Sequence, residues 1–375
     1  MNIIIAGDFT TDGRGLDSIV KKKALSEGVL DILKKSDFCI VNLESPVADD
    51  ECLPIEKSGP CLRTNTQAIN YLKECGFTAV ALANNHFCDY GVNGVRKTIE
   101  ELQINDLDYV GGGRTNDELR RILYVEQSGV VVAFINYCEH EFSIQSSYGS
   151  NPLDEMSSFF DINEAKKKAD IIIVIVHGGS EGYQLPTPRM QRFYHFLIDM
   201  GAHMVVNHHQ HCYSGFETYH NSNIYYGLGY FFFDDGNNTR SIWNEGFLLS
   251  VDINNKVIES IRQIPYVQCA NGQIYVRLMN QQEFVAFQQK TEELNGIINN
   301  QIKLQDSFNK FVKEKSKNYY SLFSPYSNRY LRYLCKHGLL PTFITRKKRL
   351  QLLNYLECES HRDIMLDTLK EKCYS

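Results

Sequence analysis

Short β-branched apolar runs alternate with amphipathic stretches through the first half of this chain. The opening "NIIIAG" predicts a strand, and "FCIVNLE" at Phe38–Glu44 predicts another after the helical "VLDILKKS". "TNTQAINYLKECG" has a polar cap at one end and a glycine at the other, so it predicts a helix leading into the strand "TAVALA". The helical "GVNGVRKTIEELQ" feeds "YVGGG". "VVVAFINYC", "DIIIVIVHGG" and "HMVVNHH" predict buried strands, the last two joined by the helical "TPRMQRFYHFLIDMG". From Gly215 the pattern shifts to alternating strands, "NIYYGLGYFFFD", "GFLLSVDI" and "VIESIRQIPYV", with hairpin-like turns between them. A βαβ half followed by an antiparallel part predicts an α/β sandwich of mixed sheets flanked by helices. From about Gln281 the pattern is helical throughout, which divides the chain into 1–280 and 281–375.

Composition changes this picture little. The 375 residues are 43% hydrophobic and 22% charged, as expected of a globular protein. A net charge of −6 does not suggest nucleic acid as the main partner. Its distribution is more informative. Residues 301–375 hold 15 Lys and Arg against 7 Asp and Glu, about +8, so the remainder is strongly acidic. That basic region is expected to pack on the core, or else to contact an anionic membrane face or a polymer-synthesis complex. The 11 cysteines are odd in number and form no CxxC pair, which suits a reducing compartment. The first apolar run is too short for a signal-peptide core, and "IIIVIV" at Ile171–Val176 is far short of a bilayer span. A cytoplasmic location is expected.

The candidate chemistry lies where the strands stop. "VVNHHQHCYSG" places His208, His209 and His211 at the end of an apolar run. Such rings either pack at a strand end or ligate a metal, and ligation requires partners elsewhere. Other strands end in Asp8, in "NLES" (Asn42, Glu44), in "NNHFCD" (Asn84, Asn85, His86, Asp89) and in "HGGSEGY" (His177, Glu181, Tyr183). The carboxyl ends of parallel strands share one edge of a sheet, so these side chains converge. Carboxylates, amides and imidazoles together suit Mn, Fe or Zn. His209 and His211 are two residues apart, which in extended backbone sends both rings to one side and His208 to the other. "GGG" at Gly111–Gly113 lacks the Lys and Ser/Thr of a phosphate loop.

With these motifs in this order, from about Ile3 to about Asp252, the chain resembles the poly-γ-glutamate capsule-synthesis (CapA-type) family of the calcineurin-like metallophosphoesterase superfamily. The resemblance implies a four-layer α/β/β/α metallophosphoesterase-like sandwich, with the C-terminal helical region outside it, and two divalent ions (Mn, Fe or Zn) at the strand ends. It implies Asp8 and His211 on the first ion, Glu44 bridging, and Asn85, His177 and His209 on the second. His86 becomes the catalytic residue, a general acid or transition-state stabiliser. Asn42, Asn84, Asp89, Glu181, Tyr183 and His208 become substrate-binding or supporting residues. The sequence departs from the superfamily at Thr10, where an imidazole ligand is usual, so the first site is weakened or takes another ligand such as Asn42. Glu44 stands where Asp is usual. Asn207, Gln210, Gly227 and Tyr230 depart from the branch's own later motifs.

The implied function is a metal-dependent phosphoesterase, a hydrolase of capsule or cell-surface polymer biosynthesis acting on a phosphate-containing or polymer-precursor substrate. Two alternatives stand beside it: a metal-dependent transfer or ligation step in making a γ-linked polymer, and a non-enzymatic scaffold of a polymer-synthesis complex.

Overall fold

The computed structural model describes the chain apart from residues 13–14, 146, 235–238, 323–324, 358–368, 370–372 and 374–375, and apart from the side chains of 317–322. Two compact units are present, Met1–Leu304 and Gln305–Ser375.

In chain order the strands are β1 (Asn2–Phe9), β2 (Phe38–Leu43), β3 (Ala79–Ala81), β4 (Asp108–Val110), β5 (Gly112–Gly113), β6 (Leu123–Gln127), β7 (Val130–Cys138), β8 (Gly149–Ser150), β9 (Ile171–His177), β10 (Met204–His208), β11 (Phe216–Tyr219), β12 (Ser222–Tyr225), β13 (Tyr230–Phe232), β14 (Glu245–Asn254), β15 (Val257–Gln268) and β16 (Val276–Leu278). The helices are α1 (Gly15–Val20), α2 (Glu27–Lys35), α3 (Thr66–Cys75), α4 (Gly91–Ile104), α5 (Asn116–Leu119), α6 (Glu155–Ala165), α7 (Pro188–Met200), α8 (Gln281–Ile298), α9 (Gln301–Leu322), α10 (Arg329–Lys336) and α11 (Arg346–Glu357).

One sheet runs β16-β15-β14-β1-β2-β3-β4 with β13 also on β1, and the other runs β11-β12-β10-β9-β7-β6. β1 to β4 are mutually parallel, as are β7, β9 and β10. Parallel strands are buried on both faces, which is why β1 and β9 read as unbroken apolar runs. On the outer face of the first sheet, Ile69 and Leu72 of α3 and Val95, Ile99 and Leu102 of α4 join a core with Ile4, Ala6, Val41 and Val80. Helices α6 and α7 cover the second sheet. Between the sheets, Phe38 stacks on Phe134 at 5.0 Å. The result is the four-layer α/β/β/α sandwich.

Local signals set the helix ends. The Asn65 side chain accepts from Ala68 N at the start of α3, and Gly76 ends that helix in the left-handed region (φ 103°). Thr187 caps α7, with Pro188 in its first turn.

"NIYYGLGYFFFD" is not one strand. It breaks around Gly229 (φ 81°), and its halves lie in different sheets, β12 beside β10 and β13 beside β1. Gly7 permits that crossing: a Cβ there would stand 1.9 Å from the Gly229 carbonyl oxygen. Helix α8 also lies in the unit that ends at Leu304, beyond the 280/281 division drawn where the helical pattern begins. It buries Phe287, Thr291, Leu294 and Ile298 there.

In the second unit, Tyr330, Tyr333, Leu339, Phe343 and Leu350 are exposed. Among the described residues, no helix is long and apolar enough to cross a membrane.

Candidate metal centre

Register places the site. Asp8 near the end of β1 lies opposite Asn42 of β2, after an irregularity between Ala6 and Asp8. His177 and His208, the last residues of β9 and β10, are register partners. The two sheets thus bring their carboxyl edges together, and Asp8, Asn42, Glu44, Asn84, Asn85, His86, Asp89, His177, His208, His209 and His211 are all buried.

Strand β10 stops at His208, and His209 (φ 82°) and His211 (φ 60°) are left-handed. The expectation of extended backbone through His211 therefore fails. Two positive-φ turns, a strained arrangement for side chains with a Cβ, bring all three imidazoles to the same centre.

Asp8 is held on both oxygens. Asn42 Nδ2 donates to Oδ1 at 2.8 Å, and His211 Nδ1 lies 3.1 Å from Oδ2. His208 Nδ1 is 3.3 Å from Oδ1. Burial pushes the Asp8 carboxyl up, but the His208 and His211 rings outweigh burial and hold it well below the usual carboxylate range.

Glu44 differs. It is fully buried and neither carboxylate oxygen has a hydrogen-bond partner. His177 Nε2 and His211 Nε2 each stand 3.5 Å from Oε1. Burial, then the charge of Asp8, pushes Glu44 well above its usual range.

His177 Nε2 also meets Asn85 Oδ1 at 3.0 Å and His209 Nδ1 at 3.1 Å. Burial first, and the neighbouring His209 second, lowers His177; burial and His211 lower His209. Both shifts favour the neutral ring, the form that ligates metal. Among the described residues, ligand atoms of Glu44, His209 and His211 lie within 4.8 Å of one another.

An ionised carboxylate buried without a partner costs several kcal/mol, of order 3–5 when its counter-charge has been removed. Glu44, with the Nε2 atoms of His177 and His211 at 3.5 Å and no hydrogen bond, is what a cation would relieve. The residues therefore fit a divalent metal.

The other candidates surround this centre. Asn42 turns its amide nitrogen, not its oxygen, toward Asp8, and its Oδ1 accepts from Asn84 Nδ2 at 3.3 Å. Asn84 also donates to Leu43 O and accepts from His86 N. His86 Nδ1 pairs with Asp89 Oδ2 at 2.7 Å. Glu181 is 57% exposed on its side chain and reaches His211 Nε2 only at 4.0 Å. Tyr183 is buried, and burial pushes its hydroxyl up to about 12. Thr10 is tied to Ser45 Oγ at 2.8 Å.

Burial disfavours the thiolate form near the site, pushing Cys88 and Cys212 up to about 12 and Cys138 well above its usual value. The described cysteines are all free.

The sequence gives no sign of one contributor and shows another only as a motif departure. The Lys57 side chain is almost wholly buried, forms an ion pair with Asp89 and lies 3.3 Å from His86 Nδ1. Tyr230 stacks on His211 at 4.2 Å, with Phe233 and Trp243 beside it. Lys57 sits in an aperiodic loop and carries no signal. Tyr230 stands beside Asp8 only because the chain parts between two sheets around Gly229.

Fold and site together define an α/β/β/α sandwich with a carboxylate and imidazole centre at its strand ends. The chain belongs to the bacterial capsule synthesis protein PGA_cap family, which matches residues 2–235. It is similar to the PGA biosynthesis protein CapA of Bacillus subtilis (31% identity, 62% of this chain, 64% of that one). It is similar also to the capsule biosynthesis protein CapA of Bacillus anthracis (31%, 63% of this chain, 60% of that one). A Mycobacterium tuberculosis protein named as a polyglutamine synthesis accessory protein matches at 28% over 52% of this chain and 55% of its own. The chain thus spans somewhat under two thirds of the length of these curated relatives.

Proposed function

We propose that the chain is a metal-dependent phosphoesterase-like enzyme acting in bacterial capsule or cell-surface polymer biosynthesis. The observation that carries this reading is Glu44, a buried carboxylate with both oxygens unpartnered and facing imidazole nitrogens. Asp8, Glu44, Asn85, His177, His209 and His211 would hold a pair of divalent ions (Mn, Fe or Zn). Such a pair supplies Lewis acidity toward a phosphate and lowers the pKa of water.

The chain's own residues do the rest. Asn42 and His211 fix Asp8, so that carboxylate does not rotate. Asn84 pins the His86 backbone, and Asp89 takes the His86 Nδ1 proton as acceptor. His86 Nε2 is then the nitrogen left to face a leaving oxygen, and it passes a proton there when the ring carries a second one. Lys57 compensates the Asp89 charge.

The relatives' names, which speak of PGA and capsule biosynthesis, favour a second reading: transfer or ligation in making a γ-linked polymer at the same centre. The test incubates metal-loaded protein with a phosphodiester, a phosphomonoester and a γ-glutamyl acceptor. Phosphate-ester cleavage is expected. In His86→Ala it should fall about 10²–10⁴-fold with bound metal unchanged. A γ-glutamyl product without ester cleavage would favour transfer. Metal bound but no turnover of any of the three would leave the scaffold role.

A further inference from the structure

The centre has a gap where Thr10 replaces the imidazole usual in the wider superfamily. The Thr10 hydroxyl is taken up by Ser45, and Asn42 presents a donor to Asp8 rather than an acceptor to a cation. His211 does not fill the gap either. A neutral imidazole has one N–H and one lone pair. With Nδ1 at 3.1 Å from Asp8 Oδ2, the N–H of His211 points at Asp8, and the lone pair on Nε2 points toward Glu44, 3.5 Å away. His211 therefore groups with Glu44 and His209, and its contact with Asp8 is the orienting carboxylate bond that metal-bound histidines commonly make.

His208 has what the Asp8 side lacks. Its side chain is 1% exposed, and Nδ1 stands 3.3 Å from Asp8 Oδ1, on the oxygen that His211 does not use. Neither of its ring nitrogens makes a hydrogen bond, so the contact with Asp8 lacks hydrogen-bond alignment. Buried polar atoms left this way each cost about 1–3 kcal/mol and need an explanation. Two ligand atoms on one ion lie near each other without bonding to each other, and that is the relation of His208 Nδ1 to Asp8 Oδ1.

We propose that His208 is a metal ligand, completing with Asp8 the site that position 10 leaves short of an imidazole. This rests on the metal reading above. Ion content is measured by elemental analysis after loading with Mn, and Co-loaded protein is examined by absorption spectroscopy. Wild type is expected to bind two ions per chain and His208→Phe, which keeps the ring volume, one. In His208→Cys, a thiolate at the ion adds a near-ultraviolet charge-transfer band that Co-loaded wild type lacks, a signature that packing alone does not produce and that still reports if His208→Phe does not fold. Two ions in His208→Phe, or no new band in folded, Co-loaded His208→Cys, would overturn the assignment and make His208 a packing partner of Asp8. Wild type binding no ion would instead overturn the metal reading itself.

Discussion

Asp8 and Glu44 are equally buried, yet their surroundings push them in opposite directions. Asp8 gains two imidazoles and an amide; Glu44 gains no hydrogen bond. The lowered Asp8 stabilises the fold above its unfolded pKa, and that contribution is lost as pH falls through its folded value. The raised Glu44 does the reverse: its contribution is present below its unfolded pKa and is lost as pH rises through its folded value. In metal-free protein the Glu44 contribution is therefore expected to fall as the pH rises from the carboxylate range, while the lowered His177 and His209 add stability up to the ordinary imidazole range. Glu44→Gln should lose less over the same range in thermal melts, and equal pH dependence of the two would contradict this account of Glu44. Lys57 makes a second prediction. Removing one partner of a buried ion pair costs about 3–5 kcal/mol, so Lys57→Met should lower stability by that order in denaturant unfolding. A loss below about 1 kcal/mol would show that Asp89 does not depend on it. The residues at strand ends were legible in the sequence because the end of an apolar run is visible. Lys57 was not, because burial of a loop lysine depends on Asp89, 32 positions away in the chain.

At the scale of elements, α8 shows that a change to helical pattern does not separate an appendage from a packed helix. Its Gln- and Glu-rich surface reads as part of a tail, yet Phe287 packs on Tyr213 at 4.8 Å and on Phe247 at 5.7 Å. Asn295 Oδ1 accepts from Phe216 N at 2.7 Å, closing the edge of β11. A chain ending at Leu304 is expected to melt close to the full chain, and one ending at Asn280 well below it or to precipitate. Equal melting of the two shortened chains would contradict the role given to α8. Glu283 anchors the helix start. Its hydrogen bonds with Arg277 come first among the causes that outweigh burial and lower it to about 2. The Glu283 contribution is present above its unfolded pKa and lost only as pH falls toward about 2. Glu283→Gln should therefore cost stability at neutral pH and little near pH 2, measured by urea melts at both. The same lesson applies to "NIYYGLGYFFFD", where alternation signalled strands but only the backbone freedom of glycine decided that they part between two sheets.

For the whole molecule, the alternation of buried strands and helices made the sandwich legible, and the shared carboxyl edge of parallel strands made the centre legible as a convergence. The left-handed turns at His209 and His211 were not, because period-two reasoning assumes extended backbone. What these turns accomplish is to gather imidazoles from one sheet around the carboxylates of the other, and the central claim is that this gathering holds metal. Elemental analysis of the purified full chain, expressed with Mn, Fe or Zn supplied, tests it most directly. The account predicts two ions per chain, falling in Glu44→Gln and His209→Ala while circular dichroism is unchanged. A folded wild-type protein without any transition metal, after supply of all three, would contradict it.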